Sequence, residues 1–330
     1  MELYLIRHGE TVDNVAGLYA GVRDSALTNH GSDQAHRLGE HFAKNDVKLT
    51  HIFASPLSRA FKTAEAVQKA QSQSDIDGAP PSMNRVDIVK VPDLIEQDFG
   101  YYEGKPFFAR SDPKKTGREV HHDKHKDDAG FVDVENKDSL AKRADAFLDQ
   151  HLMPLFETSA EKLCVVVVSH GILLSNLWRR MLLRLPRKSL TIAPEITAVR
   201  DNIILEHLGG WSNTGYLHLS LSKDVVKTSP TMPMVLSSPS LGPVTALESP
   251  SPGMGQAVPL QNAKSTEVHD ASEPPKAVSR VLRGWSTTIV AIDSKQHLVG
   301  LKRQRGGIGR LAHDGGQKKL DSFFKRQRTT

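Results

Sequence analysis

Residues 163–168, Leu-Cys-Val-Val-Val-Val, constrain the fold of this chain more than any other stretch. The run is apolar throughout and short, so it reads as a strand buried on both faces. Such strands belong to the centre of a parallel sheet with helices packed on either side. The run breaks off abruptly in Ser169-His170-Gly171. A second apolar run, Leu3-Tyr4-Leu5-Ile6, breaks off in the same way, in Arg7-His8-Gly9.

Around these two strands the chain alternates. Thr28 can cap a helix over 29–44, with Ala35, Leu38 and Phe42 at helical spacing. Residues 52–54 form a short strand, and Pro56 suits the first turn of a helix over 57–71. Residues 86–91 are a third strand, 140–156 an amphipathic helix, and a further helix runs from Gly171 to about Leu185. Residues 203–207 and 216–221 read as a hairpin-like pair around Gly209-Gly210. The expected fold is α/β, a three-layer sandwich with a mostly parallel sheet flanked by helices, plus a largely disordered C-terminal tail.

The periodicity stops near residue 224. Hydrophobic residues are 38% and aromatics 6% of the 330, lean for a chain folded throughout. The expected organisation is a domain over 1–224, a disordered Pro/Ser-rich linker over 225–277, and a basic tail over 278–330. Within that tail, Thr288 to Ile292 is apolar and reads as a docked strand or a weakly ordered island. The net charge is +5, yet residues 295–330 alone carry a surplus of eight cations, so the rest is net negative. One cysteine, Cys164, excludes a disulfide framework and fits a reducing compartment. No run approaches the ~18 apolar residues of a membrane span, and no signal peptide is visible. A soluble intracellular protein, cytoplasmic or nuclear, is expected.

In open α/β sheets ligands gather at the carboxyl ends of strands, where both His-Gly units would sit. Arg7 adjoins the first, and Arg59 follows a Ser-Pro turn after another strand. Arginine offers a planar fork of donors that matches phosphate oxygens. A neutral imidazole can attack phosphorus and hold it as phosphohistidine. Nearby arginines disfavour imidazolium and keep that nucleophile unprotonated. A carboxylic acid in the same pocket would protonate the leaving oxygen.

Beyond this pattern the sequence resembles the histidine phosphatase superfamily, with its phosphoglycerate-mutase-like fold. The resemblance rests on Leu5-Ile6-Arg7-His8-Gly9-Glu10-Thr11, Asn14, Leu27-Thr28, Gly31 and Gln34-Ala35, then Ser55-Pro56-Leu57-Ser58-Arg59-Ala60 and Thr63-Ala64. It continues through residues 94–104, with Glu96 and Glu103, to Val168-Ser169-His170-Gly171, and spans about residues 1–222. It implies that His8 is the phosphorylated nucleophile and that Arg7, Arg59 and His170 hold the phosphoryl group. It further implies that Asn14 contacts a phosphate oxygen and that Glu96 donates the proton. Gly21 and Gly171 join them as substrate-binding positions, and Glu103 is read as structural. No metal and no cofactor are implied.

The expected activity is that of a phosphoric monoester hydrolase acting on a small phosphorylated substrate. Mutases of this fold usually carry a tryptophan before the asparagine; Glu10-Thr11-Val12-Asp13-Asn14 has none. Mutase-type phosphoryl transfer remains the alternative. Residues 105–137 are expected to form a mobile cover whose cations, among them Lys105, Lys114, Lys115, Arg118, His121, His122 and His125, receive a second anionic group.

The tail carries a separate signal. Gln317-Lys318-Lys319-Leu320-Asp321-Ser322-Phe323-Phe324 resembles the short motif that docks on the DNA sliding clamp, PCNA. One helical turn would place Leu320, Phe323 and Phe324 on one side as a plug, with Gln317 as a polar anchor. A clamp-docking nuclear adaptor is thus the other alternative function. Lys302-Arg303-Gln304-Arg305 and Lys325-Arg326-Gln327-Arg328 suggest nuclear import or a weak nucleic-acid contact.

Overall fold

The computed structural model describes residues 1–73, 85–107, 117–157, 162–186, 188–200, 202–223, 282–305 and 307–314. In chain order the main elements are β1 (Glu2–Arg7), α1 (Val12–Ala16), α2 (Asn29–Lys44), β2 (His51–Ala54), α3 (Ser58–Gln73) and β3 (Ile88–Lys90). There follow α4 (Gly117–His125), α5 (Lys137–Phe147), β4 (Cys164–Ser169), α6 (Gly171–Leu182), β5 (Leu190–Ile192), α7 (Pro194–Thr197), β6 (Tyr216–Lys223) and β7 (Trp285–Ser294). The sheet runs β3-β2-β4-β1-β6-β7-β5. Its β3, β2, β4 and β1 are mutually parallel, β6 is antiparallel to both β1 and β7, and β5 is parallel to β7.

The valine run lies at the centre, as its composition demands. Val165 and Val167 join Leu3 and Leu5 in a core that includes Leu140 and Phe147 of α5 and Leu173, Leu174 and Trp178 of α6. Val166 and Val168 join Tyr4 and Ile6 on the other face, against Leu38 and Phe42 of α2 and Ala60, Ala64 and Val67 of α3. Alternate side chains of one strand thus enter two cores. The β1–β4 register pairs Ile6 with Val168 and Arg7 with Ser169. That register alone brings the two His-Gly turns side by side at the carboxyl ends of the strands.

Local signals set the helix ends. The Thr28 hydroxyl accepts from the Gly31 amide at the start of α2, and Asn136 accepts from the Ser139 amide at the start of α5. The helix expected over 140–156 instead starts at Lys137 and gives way after Phe147 to a wide turn and then a tight one, Met153–Phe156. Pro154 lacks the amide proton that a regular continuation requires.

One expectation fails, and one left open between a docked strand and an island is decided for the strand. Residues 203–207 form no strand and no hairpin with β6, whose two neighbours are β1 and β7. They pack instead as a loop on α6, where the Trp178 indole donates to Leu205 O at 2.6 Å. The apolar run in the tail is a full strand, β7, inserted between β6 and β5. A domain closed at residue 224 therefore omits part of its own sheet. The described residues 282–305 and 307–314 belong to the same compact unit as the described residues before 224. The linker expected over 225–277 and the docking motif at 317–324 lie outside the described residues. No described helix is long and apolar enough to cross a membrane.

Candidate active site

A cavity of about 610 Å³ opens at the carboxyl ends of β1 and β4. Arg7, His8, Asn14, Arg59, Glu96 and Gly171 all line it. Residues that end separate strands and start separate helices thus meet at one place.

His8 is 4% exposed, and its Nδ1 lies 2.7 Å from Gly9 O. A carbonyl can only accept, so Nδ1 carries the ring proton and Nε2 keeps its lone pair. Burial pushes the His8 pKa well below the ordinary imidazole value, and Arg59 and Arg7 push it further. The ring is therefore neutral at pH 7 and its tautomer is set.

His170 is wholly buried, with its ring centroid 5.1 Å from that of His8. Arg59 Nε donates to His170 Nδ1 at 3.2 Å, so the His170 proton sits on Nε2 and is given to Ser55 Oγ at 2.9 Å. Burial first, then Arg59, His8 and Arg7, hold its pKa well down too. Both ring nitrogens are engaged by protein, and His170 is not part of the cavity wall. In this arrangement its Nδ1 orients Arg59.

Arg59 is held on every side. Besides His170, it donates to Arg23 O at 2.9 Å and to Ala20 O and Gly21 O at 3.1 and 2.7 Å. Arg7 is different. Its Nη1 donates to Trp211 O at 2.6 Å, while its Nε is buried with no hydrogen-bond partner. A buried guanidinium N–H without an acceptor is costly unless a ligand supplies one. The Asn14 side-chain oxygen accepts from Thr11 N and from Asn213 Nδ2, both at 3.2 Å, which leaves its amide nitrogen as the end suited to an oxygen ligand.

Glu96 sits at the start of α6. Its carboxylate accepts from the backbone amides of Gln97, Leu173 and Ile172 at 2.9, 3.0 and 3.1 Å. Burial raises its pKa; the three amides and Arg59 oppose that rise without cancelling it. The result is a carboxyl group poised to hold or release a proton.

Gly21 does not line the cavity; its neighbour Ala20 does. Glu103 explains why glycine is needed there. Its carboxylate accepts from the amides of Gly21, Val22, Arg23 and Phe99, and a Cβ on Gly21 would collide with it. Glu103 and Gly21 therefore fix the loop whose carbonyls hold Arg59. Within the expected cover, Lys105 rests over the Tyr101 ring and His125 bonds Asp128 at 2.8 Å. Lys105, His122, Lys124, His125 and Lys126 are all absent from the cavity wall, whereas Lys137 and Arg179 line it. Lys114, Lys115 and the side chains of Arg118 and His121 lie outside the described residues.

Comparison with known proteins now bears on the whole arrangement. Residues 3–199 match the Histidine phosphatase superfamily (branch 1). The chain belongs to that family. A Schizosaccharomyces pombe protein named as a probable phosphatase is 34% identical over 185 residues, 54% of this chain and 56% of that protein. This chain thus spans little more than half of that relative's length. A probable phosphoglycerate mutase GpmB of Erwinia tasmaniensis is 31% identical over 54% of this chain and 73% of its own. Among solved structures, the mycobacterial glucosyl-3-phosphoglycerate phosphatase aligns with a TM-score of 0.47 at 23% identity, covering 67% of this chain and 91% of that one.

Several groups in this site were not legible beforehand. Trp211 contributes through its backbone carbonyl, which leaves no signature in a side chain. Asn213 donates to His8 O at 3.2 Å and Thr63 accepts from Gly9 N at 3.1 Å. Thr63 lay within a matching motif; Asn213 had no signal at all.

Proposed function

We propose that this protein hydrolyses a phosphate monoester through a phosphohistidine on His8. The observation that carries the reading is the bare His8 Nε2, in a cavity lined by the buried Arg59 and by Arg7, whose buried Nε is unpaired. The step balances. The His8 Nε2 lone pair forms the P–N bond as the ester P–O bond breaks. The departing alkoxide takes the proton of the Glu96 carboxyl. Glu96 then takes a proton from water, whose oxygen attacks phosphorus. The P–N bond breaks, releasing inorganic phosphate and restoring neutral His8. Arg7 and Arg59 neutralise charge on the transferring group, the task a metal ion performs elsewhere. His170 keeps Arg59 in place.

The decisive test is phosphate release from a panel of small phosphate esters by wild type and His8→Ala. Release by wild type and none by the variant is expected. Interconversion of phosphoglycerates without release of phosphate from any ester would establish mutase chemistry in its place.

We also infer that Gln317, Leu320, Phe323 and Phe324 dock the chain on a PCNA-type sliding clamp, in keeping with a nuclear pool. Support comes from the motif and from the cations Lys318, Lys319, Lys325, Arg326 and Arg328 around it. Purified clamp should bind the full chain and lose it on Phe323→Ala with Phe324→Ala; undiminished binding would refute the reading.

A further inference from the structure

The segment from β7 onward lies beyond the family-matched residues, and residues 224–281 part its first described residue from β6. It nonetheless reaches the back of the phosphate-binding loops at three separate points.

The first point is Asp293. Its carboxylate accepts from the Ser212 amide and the Ser212 hydroxyl, each at 2.8 Å. Its backbone has φ +47°, a conformation unusual for a residue with a Cβ. The β6–β7 register shifts beside it, between Tyr216 and His218. Such a bulge re-aims a side chain out of the ladder. Gly215 clears the way, because a Cβ there would overlap the Asp293 carboxylate.

Residues 211–214 in turn hold the site. Trp211 O takes Arg7 Nη1, and Asn213 Nδ2 donates to both His8 O and Asn14 Oδ1. The Thr214 amide donates to Arg7 O and His8 O at 3.0 and 3.2 Å. The second point acts on this same loop: His297 Nε2 lies 2.8 Å from Thr214 Oγ1, and burial, with His41 adding to it, lowers the His297 pKa to about 4.

The third point is Arg303. Its Nη2 meets Glu10 Oε2 at 2.5 Å, while Glu10 Oε1 accepts from Thr28 Oγ1 at 2.9 Å. Glu10 follows Gly9, whose carbonyl fixes the His8 tautomer. Asn29 and His313 add further ties, through Ile308 O and the Asn29 side chain.

We infer that Asp293 and Arg303 are positioning residues for phosphoryl transfer, bracing from behind the two loops that orient Arg7, His8 and Asn14. Neither touches the cavity. Each acts through a residue that does its holding by hydrogen bonds, Ser212 in one case and Glu10 in the other. Completion of the sheet by a distant segment is thus coupled to the geometry of the nucleophile. The inference rests on the phosphohistidine reading for its consequence in rate, but not for its structural content.

The experiment uses the full chain with p-nitrophenyl phosphate as the ester. Asp293→Ala and Arg303→Met should each lower kcat about ten- to a hundredfold, since small misplacements of reacting groups carry losses of that order. KM should change less than about threefold, because phosphate contacts remain. Asp293→Asn and Arg303→Lys keep part of each bond and should recover most of the rate. Val299→Ala, on an exposed position of the same segment, serves as control and should match wild type. In parallel, 15N ring resonances of His8 report its tautomer without reference to turnover. They should show Nδ1 protonated in wild type and a mixture in Asp293→Ala and Arg303→Met. The inference is overturned if these two variants keep kcat within twofold of wild type with His8 resonances unmoved. It is also overturned if the conservative variants fare no better than the truncations. Should wild type hydrolyse no ester, the hydrolytic reading fails, and the His8 resonances alone decide whether the brace exists.

Discussion

At the inner end of the cavity, the groups that would face phosphate are held by hydrogen bonds to protein, with the unpaired Nε of Arg7 the exception. Arg59 makes four hydrogen bonds to protein, Glu96 accepts three backbone amides, and the His8 proton is pinned by a carbonyl. At the rim the materials differ. Tyr19, Phe99 and Phe107 form an aromatic group with ring centroids 4.7 and 4.8 Å apart, and Phe107 is 54% exposed. Arg179, Gly209 and Gly210 face it from loop and helix. The inner end is a preorganised electrostatic device whose value lies in not moving. The rim combines aromatic rings with the cation of Arg179 and is built largely on loops, the usual place for substrate choice to vary. One fold can therefore keep its chemistry while its substrates change.

The contrast breaks most easily at His8. His8→Ala should reduce phosphate release by roughly a thousandfold or more, since a covalent route cannot proceed without its nucleophile. A residual rate within tenfold of wild type, measured on several esters, would show that the inner end is not the reaction centre. Glu96→Gln should cost on the order of a hundredfold in kcat, within the range for one general acid–base group. It should also erase the alkaline limb of the kcat profile. In the proposed mechanism Glu96 is protonated for the first step, so the rate falls as pH rises through its elevated pKa. The acid limb has the opposite sign. His8 must be neutral, and its pKa lies well below 6.5, so activity should persist below that pH. A profile that instead falls away at pH 6.5 would place the histidine in a more solvated site. Folding stability should also decline on acidification below 6.5. His8, His170 and His297 remain neutral in the fold while their unfolded counterparts take up protons. Tm measured from pH 7 to pH 5 checks the sign.

Arg7→Lys sharpens the comparison at an intermediate level. Lysine keeps the charge but cannot bond Trp211 O and offer a second, directed N–H at once. About a tenfold loss in kcat/KM is expected, with inorganic phosphate weakened as an inhibitor. Equal activity would mean that the unpaired Arg7 Nε has no ligand to meet.

What was legible beforehand follows the same division. The strands β1, β2 and β4 and the residues at their ends could be read because local composition dictates them. The valine run can be stable only when covered on both faces, and each His-Gly turn must then lie at a strand end. Residues 203–207 misled because a short apolar run is also met by a loop packed on α6. The insertion of β7 was invisible in detail because a strand's partner is chosen by contacts distant in sequence, here across residues 224–284. His170 and Gly21 lie in the expected neighbourhood, and their hydrogen bonds to Arg59 and Glu103 were not legible in the motifs. A motif shows that residues converge, but only coordinates show which nitrogen faces which atom. The direction of the described cover cations was not legible for a related reason: charge in a polar segment says nothing of direction, and Lys105 turns onto Tyr101 while Lys137 lines the cavity.

The smallest expected effects lie at the rim, and they test the comparison from its other side. Phe107→Ala removes an exposed ring that meets Tyr19 edge-to-face and lines the cavity. Arg179→Ala removes a cation whose Nε bonds Glu206 O at 3.2 Å, away from the inner end. With p-nitrophenyl phosphate, whose phosphate is served wholly by the inner groups, both variants should keep kcat within about threefold. With larger esters they should part company. Phe107→Ala should raise KM for apolar esters and Arg179→Ala for esters bearing a second anion, each by about three- to tenfold, the range for one lost contact of about 1 kcal/mol. The order of preference across a panel of esters would then shift while the rate of the chemical step stayed put. If either variant lowered kcat uniformly on every ester, the rim would be part of the catalytic device. The boundary between fixed chemistry and adaptable recognition would then have to be redrawn further out, at the loop carrying Gly209 and Gly210.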